Sequence, residues 1–267
     1  MRDTVKATSE WDEKIPDDIR DKWLDAFLKI EKLRGIGFDM PVMPKNAVNT
    51  QLRLIKASDA AKPATMVGVW GGFLLPSGKY SCRLVIGRSL MSSDTTIPRL
   101  ELDAANAVAN LGWFVDLALQ DWDTTSIQIC DSTIALCWIT SEQLRLSQFH
   151  RNRVVSIRRA VELQDLYYVK TDENPADCGT RPDKVSIEDI LVGSMWHSGA
   201  KWMTDTFERA IDDGVIKPAA QLRLNEEEKD DYQKGIIFDK VPELLTRGHV
   251  INEYRVTEIE KRAKFSN

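Results

Sequence analysis

The stretch TTIPRLELDAANAVANL, from Thr95 to Leu111, decides the fold because it predicts a long helix with a defined beginning. Pro98 suits the first helical turn, where no backbone N–H is required, and Thr96 is a suitable cap before it. Apolar side chains then recur at helical spacing in one stripe, formed by Leu100, Ala104, Ala107, Val108, Leu111 and Val115. Glu101 lies beside this stripe, where the helix dipole favours a carboxylate. Most such glutamates are solvated neighbours of a core, so Glu101 alone does not define a site.

Strand patterns lie on both sides of this helix. Three precede it and are joined by short turns, which favours an antiparallel arrangement, at residues 52–59, 66–75 and 80–87. Two more follow it, at 126–130 and 166–169, and helical patterns occur at 133–139, at 152–163 and from Asn174 onward. The predicted order is β-β-β-α-β-α-α-β-α. This order indicates an α/β fold with a five-stranded mixed sheet flanked by helices.

Helical extensions are predicted at both ends of this core. Near the N-terminus an apolar stripe at helical spacing is expected to pack on the domain that follows, and its members are Ile19, Trp23, Phe27, Ile30 and Leu33. The segment from Arg223 to Lys234 is highly charged and is predicted to be a solvated helical tail. We therefore divide the chain into a helical segment at 1–50, a core domain at 51–182 and a helical C-terminal extension at 183–267.

Composition limits the class of protein. The chain of 267 residues is 43% hydrophobic and has eight tryptophans, which indicates a folded core. A net charge of −5 attracts no nucleic acid by a global field, so such binding requires a local patch. The four cysteines form no CxxC pair and are typical of reduced core thiols. No apolar run reaches the ~18–20 residues that span a bilayer. We expect an intracellular protein of the cytoplasm or nucleus with no membrane partner.

Four carboxylates fall at the ends of predicted elements. Asp59 ends the first strand, Glu101 lies in the first turn of the main helix, Asp131 ends the fourth strand and Asp177 begins the last helix. If the first and fourth strands are neighbours, Asp59 and Asp131 meet at one end of the sheet, where open sheets place ligands. Asp131 and Asp177 could each equally be an ordinary helix cap. Only the joint arrangement of the carboxylates is informative.

A cluster of carboxylates implies a cation. Like charges repel one another, so a cluster is tolerated chiefly when a cation is bound, and oxygen ligands suit Mg²⁺ or Mn²⁺. Two such ions held by shared carboxylates can activate a water and stabilise the leaving oxygen in phosphodiester cleavage. The sequence therefore predicts a two-ion Mg²⁺ or Mn²⁺ site, formed by Asp59, Glu101, Asp131 and Asp177.

Several motifs point to a known family. They are Thr96–Leu102, Asp131-Ser132 followed by Trp138-Ile139, Asn152–Val154, Glu173–Asp177 and Trp196–Trp202. With these motifs, residues 59–181 resemble the ribonuclease H domain of Bel/Pao-type LTR retrotransposon polyproteins. The Trp11–Pro16 stretch is similar to the connection that precedes this domain in such polyproteins. The chain departs from the family pattern at Ala61, where a serine is expected, and it has no histidine just before Asp177.

The resemblance implies a ribonuclease H-like fold and an endonuclease that cleaves the RNA strand of RNA–DNA hybrids. Asp59 and Asp131 would hold both ions, Glu101 one of them and Asp177 the other. Four arginines are candidate contacts to the nucleic-acid backbone, although a solvated helix face explains them equally well: Arg151, Arg153, Arg158 and Arg159. An RNA–DNA hybrid is the expected ligand, and a reverse transcriptase or a host protein is a candidate partner.

Two other functions remain open at this stage. The chain could be a nucleic-acid or protein-binding module that keeps the fold after losing catalysis, which the acidic net charge favours and the four intact carboxylates disfavour. It could also cut single- or double-stranded DNA, because hybrid recognition depends on 2′-hydroxyls and groove shape that no motif reveals.

Overall fold

Six strands form one mixed sheet. The computed structural model describes residues 12–37, 43–48, 51–92, 95–141, 145–181 and 186–236. The strands are β1 (Gln51–Ala60), β2 (Ala64–Leu74), β3 (Tyr80–Met91), β4 (Asp123–Cys130), β5 (Leu166–Val169) and β6 (Ile216–Pro218). Their order across the sheet is β3-β2-β1-β4-β5-β6. The first three strands pair antiparallel, β1, β4 and β5 run parallel, and β6 pairs antiparallel with β5.

Seven helices of the described chain accompany the sheet. They are α1 (Asp17–Glu31), α2 (Ile97–Ala118), α3 (Thr133–Thr140), α4 (Gln148–Ala160), α5 (Met195–Ser198), α6 (Phe207–Asp212) and α7 (Glu226–Gln233). In α2, Thr96 stands at the N-cap and Pro98 in the first turn, as the sequence predicts. The Thr96 side chain, however, makes no capping hydrogen bond. None of the helices in these ranges is long and apolar enough to cross a membrane.

The central strands are covered on both faces. Successive side chains of a strand point to opposite faces, and β1 is buried at every position after Gln51. On one face Leu54 packs in a cluster with Val115 of α2. On the other face Ile55 packs in a cluster with Trp202 and Met203 from the C-terminal segment. The sheet is therefore the middle layer of the fold, and the predicted α/β class is confirmed.

The predicted strand count of five is wrong, because a sixth strand lies in the C-terminal segment. β6 has only three residues and ends in Pro218. A segment this short shows no alternation of apolar and polar residues, so the sequence does not predict it as a strand. It is a strand because it pairs with β5. The C-terminal extension is accordingly not helical throughout. The domain boundaries at residues 50 and 182 stay predictions.

Two further expectations about the flanking helices need correction. The α1 stripe was expected to pack on the domain, yet Phe27 is 57% exposed and Ile30 is 62% exposed, whereas Ile19 is buried. The charged segment near residue 230 does form the helix α7, but it is more than a solvated tail. Tyr232 stacks on Trp138 with ring centroids 6.2 Å apart, and the Trp138 indole N–H donates to the Tyr232 carbonyl.

Candidate active site

Two of the predicted site residues lie side by side at the end of the sheet. β1 and β4 are parallel neighbours, and Ser58 is the partner of Cys130 in their register. Asp59 and Asp131 are the next residues along each strand direction, so they lie at the same end of the sheet, Asp59 still within β1 and Asp131 directly after β4. Asp59 is buried with 9% of its surface exposed, and Asp131 is partly buried. The predicted adjacency of the first and fourth strands therefore holds.

The helix-cap alternative for Asp131 is not what the structure has. The N-cap of α3 is Ser132, whose hydroxyl accepts a hydrogen bond from the Ala135 backbone N–H. Asp177 is likewise the first residue of a single 3₁₀ turn, Asp177–Gly179, and not its cap. Neither carboxylate therefore serves as a helix cap. The short helix predicted to begin at Asn174 is reduced to that single turn.

Glu101 reaches the same place from α2, where it is the fifth residue and so stands just after the first turn in which it was predicted. Burial raises the pKa of Glu101 to about 8, a hydrogen bond with Ser132 opposes this rise, and the charges of Asp131 and Asp59 add to it. Burial also raises the pKa of Asp131 to about 6, with a further contribution from the charge of Asp59. Asp59 and Asp131 thus lie close enough to Glu101 for their charges to act on it, so the three carboxyl groups are near one another.

Asp177 joins the group from the other side. Its charge also raises the pKa of Asp131, after the larger effects of burial and Asp59. The Asp177 carboxylate forms an ion pair with Arg181, with Oδ1 and Nη2 2.6 Å apart. The buried Thr180 hydroxyl donates a hydrogen bond to Asp59 Oδ2 and lies 3.0 Å from the Asp177 carbonyl oxygen. The structure therefore brings all four predicted carboxylates to one end of the sheet.

The chemistry of this donor set fits a divalent cation. All four side chains offer carboxylate oxygens, the ligands that Mg²⁺ and Mn²⁺ prefer. Two of them have raised pKa values partly because of their neighbours' charges, and a cation would relieve that repulsion. Within the described ranges, no group of three or more His, Cys, Asp or Glu side chains is arranged so that it could hold a metal ion. Asp59 and Asp177 instead have protein partners, Thr180 and Arg181.

The four candidate arginines fall into two pairs. Arg153 forms an ion pair with Asp103 of α2 and lies 3.4 Å from the centre of the Phe149 ring. Arg158 donates to the carbonyl oxygens of Ile139 and Ser141. These contacts tie α4 to α2 and to the end of α3. Arg151 and Arg159 are exposed on the α4 surface. Contact of any of the four with nucleic acid stays a prediction.

Sequence reasoning missed the partners of the carboxylates. Thr180 and Arg181 come three and four residues after Asp177, and their contacts depend on the path of the turn, which no local pattern predicts. Ser132 was noted as part of a motif and not as a partner of Glu101. The one signal in the sequence that could have indicated these partners was their position. Residues close in sequence to a strand-end carboxylate also lie close to the site.

The sheet order and these carboxylates define the class of protein. A mixed sheet with β1, β4 and β5 parallel, and carboxylates near the end of β1, in α2, after β4 and after β5, is a ribonuclease H-like domain. Residues 1–132 match the family described as "Pao retrotransposon-like RNaseH-like domain". This match covers just under half of the chain and confirms the resemblance seen in the sequence. The match includes Asp59, Glu101 and Asp131, whereas Asp177 lies beyond it.

Solved structures with similar folds have low sequence identity to this chain. RNase H1 from the halophilic archaeon Halobacterium salinarum NRC-1 is 15% identical over 47% of this chain and 90% of its own, with a TM-score of 0.31. The N-terminal RNase H domain of rv2228c from Mycobacterium tuberculosis is 9% identical over 47% and 86%, with a TM-score of 0.31. The foamy viral protease-reverse transcriptase, solved with an RNA/DNA hybrid, is 9% identical over 63% and 25%, with a TM-score of 0.27. Among curated proteins, no sequence matches.

Proposed function

We propose that this protein is a divalent-metal-dependent endonuclease that hydrolyses the RNA strand of RNA–DNA hybrids. The observation that carries the proposal is the meeting of four carboxylates from four separate segments at one end of the sheet. A structural role would not require four acidic side chains at one partly buried place, since their charges repel. The RNA–DNA hybrid as substrate is supported by membership of an RNaseH-like family.

The residues have separate roles in this proposal. Asp59 and Asp131, at the ends of adjacent parallel strands, hold both ions, and Glu101 and Asp177 complete one ion site each. The bound ions supply an activated water and stabilisation of the leaving oxygen in an in-line displacement. Glu101 must be ionised to act as a ligand, and its raised pKa means that cation binding displaces a proton from it near neutral pH. The products are an RNA with a 3′-hydroxyl and one with a 5′-phosphate.

A cleavage assay tests this function. The intact chain is incubated with end-labelled RNA–DNA hybrid, duplex RNA or duplex DNA, in Mg²⁺, in Mn²⁺ or in EDTA. We expect cleavage of the RNA strand of the hybrid only, abolished by EDTA and by Glu101→Gln. Gln has nearly the same shape as Glu but lacks the charge that holds the ion. Cleavage of duplex DNA would assign a different substrate, and cleavage that persists in Glu101→Gln would exclude this site.

A binding module without catalysis is the second candidate. It is supported by the partners of Asp59 and Asp177, because Thr180 and Arg181 stabilise both carboxylates without a metal. The partner in that case is a nucleic acid or a protein, such as a reverse transcriptase or a host protein. Binding of the hybrid with no cleavage in either metal would favour this candidate. In either function we propose an intracellular protein, and its four free cysteines support a reducing compartment.

A further inference from the structure

Asn174 is a buried amide between β5 and the turn that carries Asp177. Asn174 is fully buried, with 0% of its surface exposed. Its Nδ2 donates to the Ser58 carbonyl oxygen at 3.0 Å, and its Oδ1 accepts from the Ala176 backbone N–H at 3.1 Å. The same Nδ2 lies 3.4 Å from Asp131 Oδ1.

These contacts join three of the four carboxylate-bearing segments through one planar group. Ser58 is the residue before Asp59, and Ala176 is the residue before Asp177. The backbone N–H of Asp177 also donates to the Asn174 carbonyl oxygen at 3.1 Å. Because an amide is rigid, its hydrogen bonds set the separation between the end of β1, Asp131 and the Asp177 turn.

The chemistry of the amide explains why asparagine stands here. Aspartate at this position has no N–H for the Ser58 carbonyl oxygen and would repel Asp131. An apolar residue would leave a buried carbonyl and a buried N–H without partners, which is unfavourable. Pro175 fixes the backbone next to the amide and lacks an N–H of its own. Asparagine satisfies one donor and one acceptor while adding no charge to the cluster.

We propose that Asn174 is a positioning residue that fixes the spacing of Asp59, Asp131 and Asp177 and thereby sets the affinity of the site for its divalent cations. It makes no contact with the ions or the substrate and acts only through the carboxylates. The inference rests on the proposed function, since it requires a cation site. It deepens that function by assigning a role to an amide that is not itself a ligand.

The test compares two buried amides. Asn174→Leu removes the amide next to the carboxylates, and Gln128→Met removes one that is equally buried but donates to the Ala105 carbonyl oxygen. Thermal melts in EDTA and at increasing Mg²⁺ or Mn²⁺ give an apparent Kd, because a ligand that binds the folded state raises the melting temperature. Calorimetric titration with Mn²⁺ gives the same Kd independently of stability. Neither readout requires activity.

We expect both variants to melt below the wild type in EDTA, but only Asn174→Leu to bind metal more weakly. The loss should be about 10-fold or more, as is typical when a group that orients a metal ligand is removed. Asn174→Ser, which keeps one hydroxyl donor for Ser58, should lose about 3- to 10-fold and provides the measurement if Asn174→Leu does not fold. Wild-type metal affinity in the Asn174 variants would overturn the positioning role and leave the proposed function intact. A wild type with no response to metal, identical to Glu101→Gln, would overturn both.

Discussion

Single residues of the carboxylate group determine how stability depends on pH. The pKa of Glu101 is raised from 4.5 to about 8, chiefly by burial, so the folded protein favours the protonated form. The stability that Glu101 contributes is therefore complete below pH 4.5 and is lost as the pH rises through about 8. In EDTA, the melting temperature of the wild type should fall between pH 5 and pH 8. Glu101→Gln should show a smaller fall and should melt above the wild type at pH 8. Equal slopes in the two proteins would contradict the burial of an ionisable Glu101.

A second prediction at the residue scale concerns Arg181. Its guanidinium holds the Asp177 carboxylate, and a cation needs the same oxygens. Arg181→Gln should therefore tighten Mn²⁺ binding by up to about 5-fold, because a pair of this exposure contributes about 0–1 kcal/mol. Arg209→Gln is the matched control, since Arg209 pairs with Asp205 and Asp213 at the same i,i+4 spacing. Weaker binding of Mn²⁺ by Arg181→Gln in calorimetric titrations would rule out this competition.

At the scale of elements, the packing of α7 against α3 yields another prediction. A Cβ atom added to Gly235 would lie 2.7 Å from the Trp138 indole, which is 1% exposed and cannot move away. Gly235→Ala should therefore destabilise the fold by about 1–3 kcal/mol, the usual cost of overpacking. Gly37→Ala, where a Cβ meets nothing within 4 Å, is the control and should change little. Urea melts followed by tryptophan fluorescence measure both. A neutral Gly235→Ala would show that the turn after α7 does not pack on Trp138.

The helices and strands also show how much of the fold can be predicted from the sequence. β5 was predicted to the residue, because its Leu-Tyr-Tyr-Val run of apolar and aromatic side chains stands between the polar residues Asp165 and Lys170. The adjacency of Asp59 and Asp131 was predicted because parallel neighbours end at one edge of a sheet, whereas Glu101 and Asp177 were assigned to the site through the family resemblance. β6 and the contacts of Tyr232 were not, because both depend on packing against distant residues. Asn174 belongs to the same group, since its bonds to Ser58 and Asp131 span 116 and 43 residues of sequence.

At the scale of the whole molecule, the site is built across most of the chain. The family match ends at residue 132, whereas β5, Asn174 and Asp177 come after it. Trp202 and Met203 then cover the sheet face opposite α2. The cluster therefore forms only when the segment beyond residue 132 has folded onto the first three strands. This dependence explains why the experiments on metal affinity use the intact chain.

The charge of the whole molecule limits its affinity for nucleic acid. With a net charge of −5, the protein has no global attraction for a hybrid, and binding depends on a few local cations. Each phosphate contact contributes a slope of about −0.9 to log K against log salt for duplex DNA, and we expect weak binding with a slope of about −2 to −4.

Arg151 and Arg159 are the exposed arginines of α4, so replacing either by glutamine should reduce the magnitude of the slope by about one. Arg209→Gln, which removes the same charge from α6, is the control. Fluorescence anisotropy with a labelled hybrid in EDTA, at several salt concentrations, measures the slope. Tight binding that does not change with salt would contradict the small electrostatic contact, and an unchanged slope in both α4 variants would place the contact on another surface.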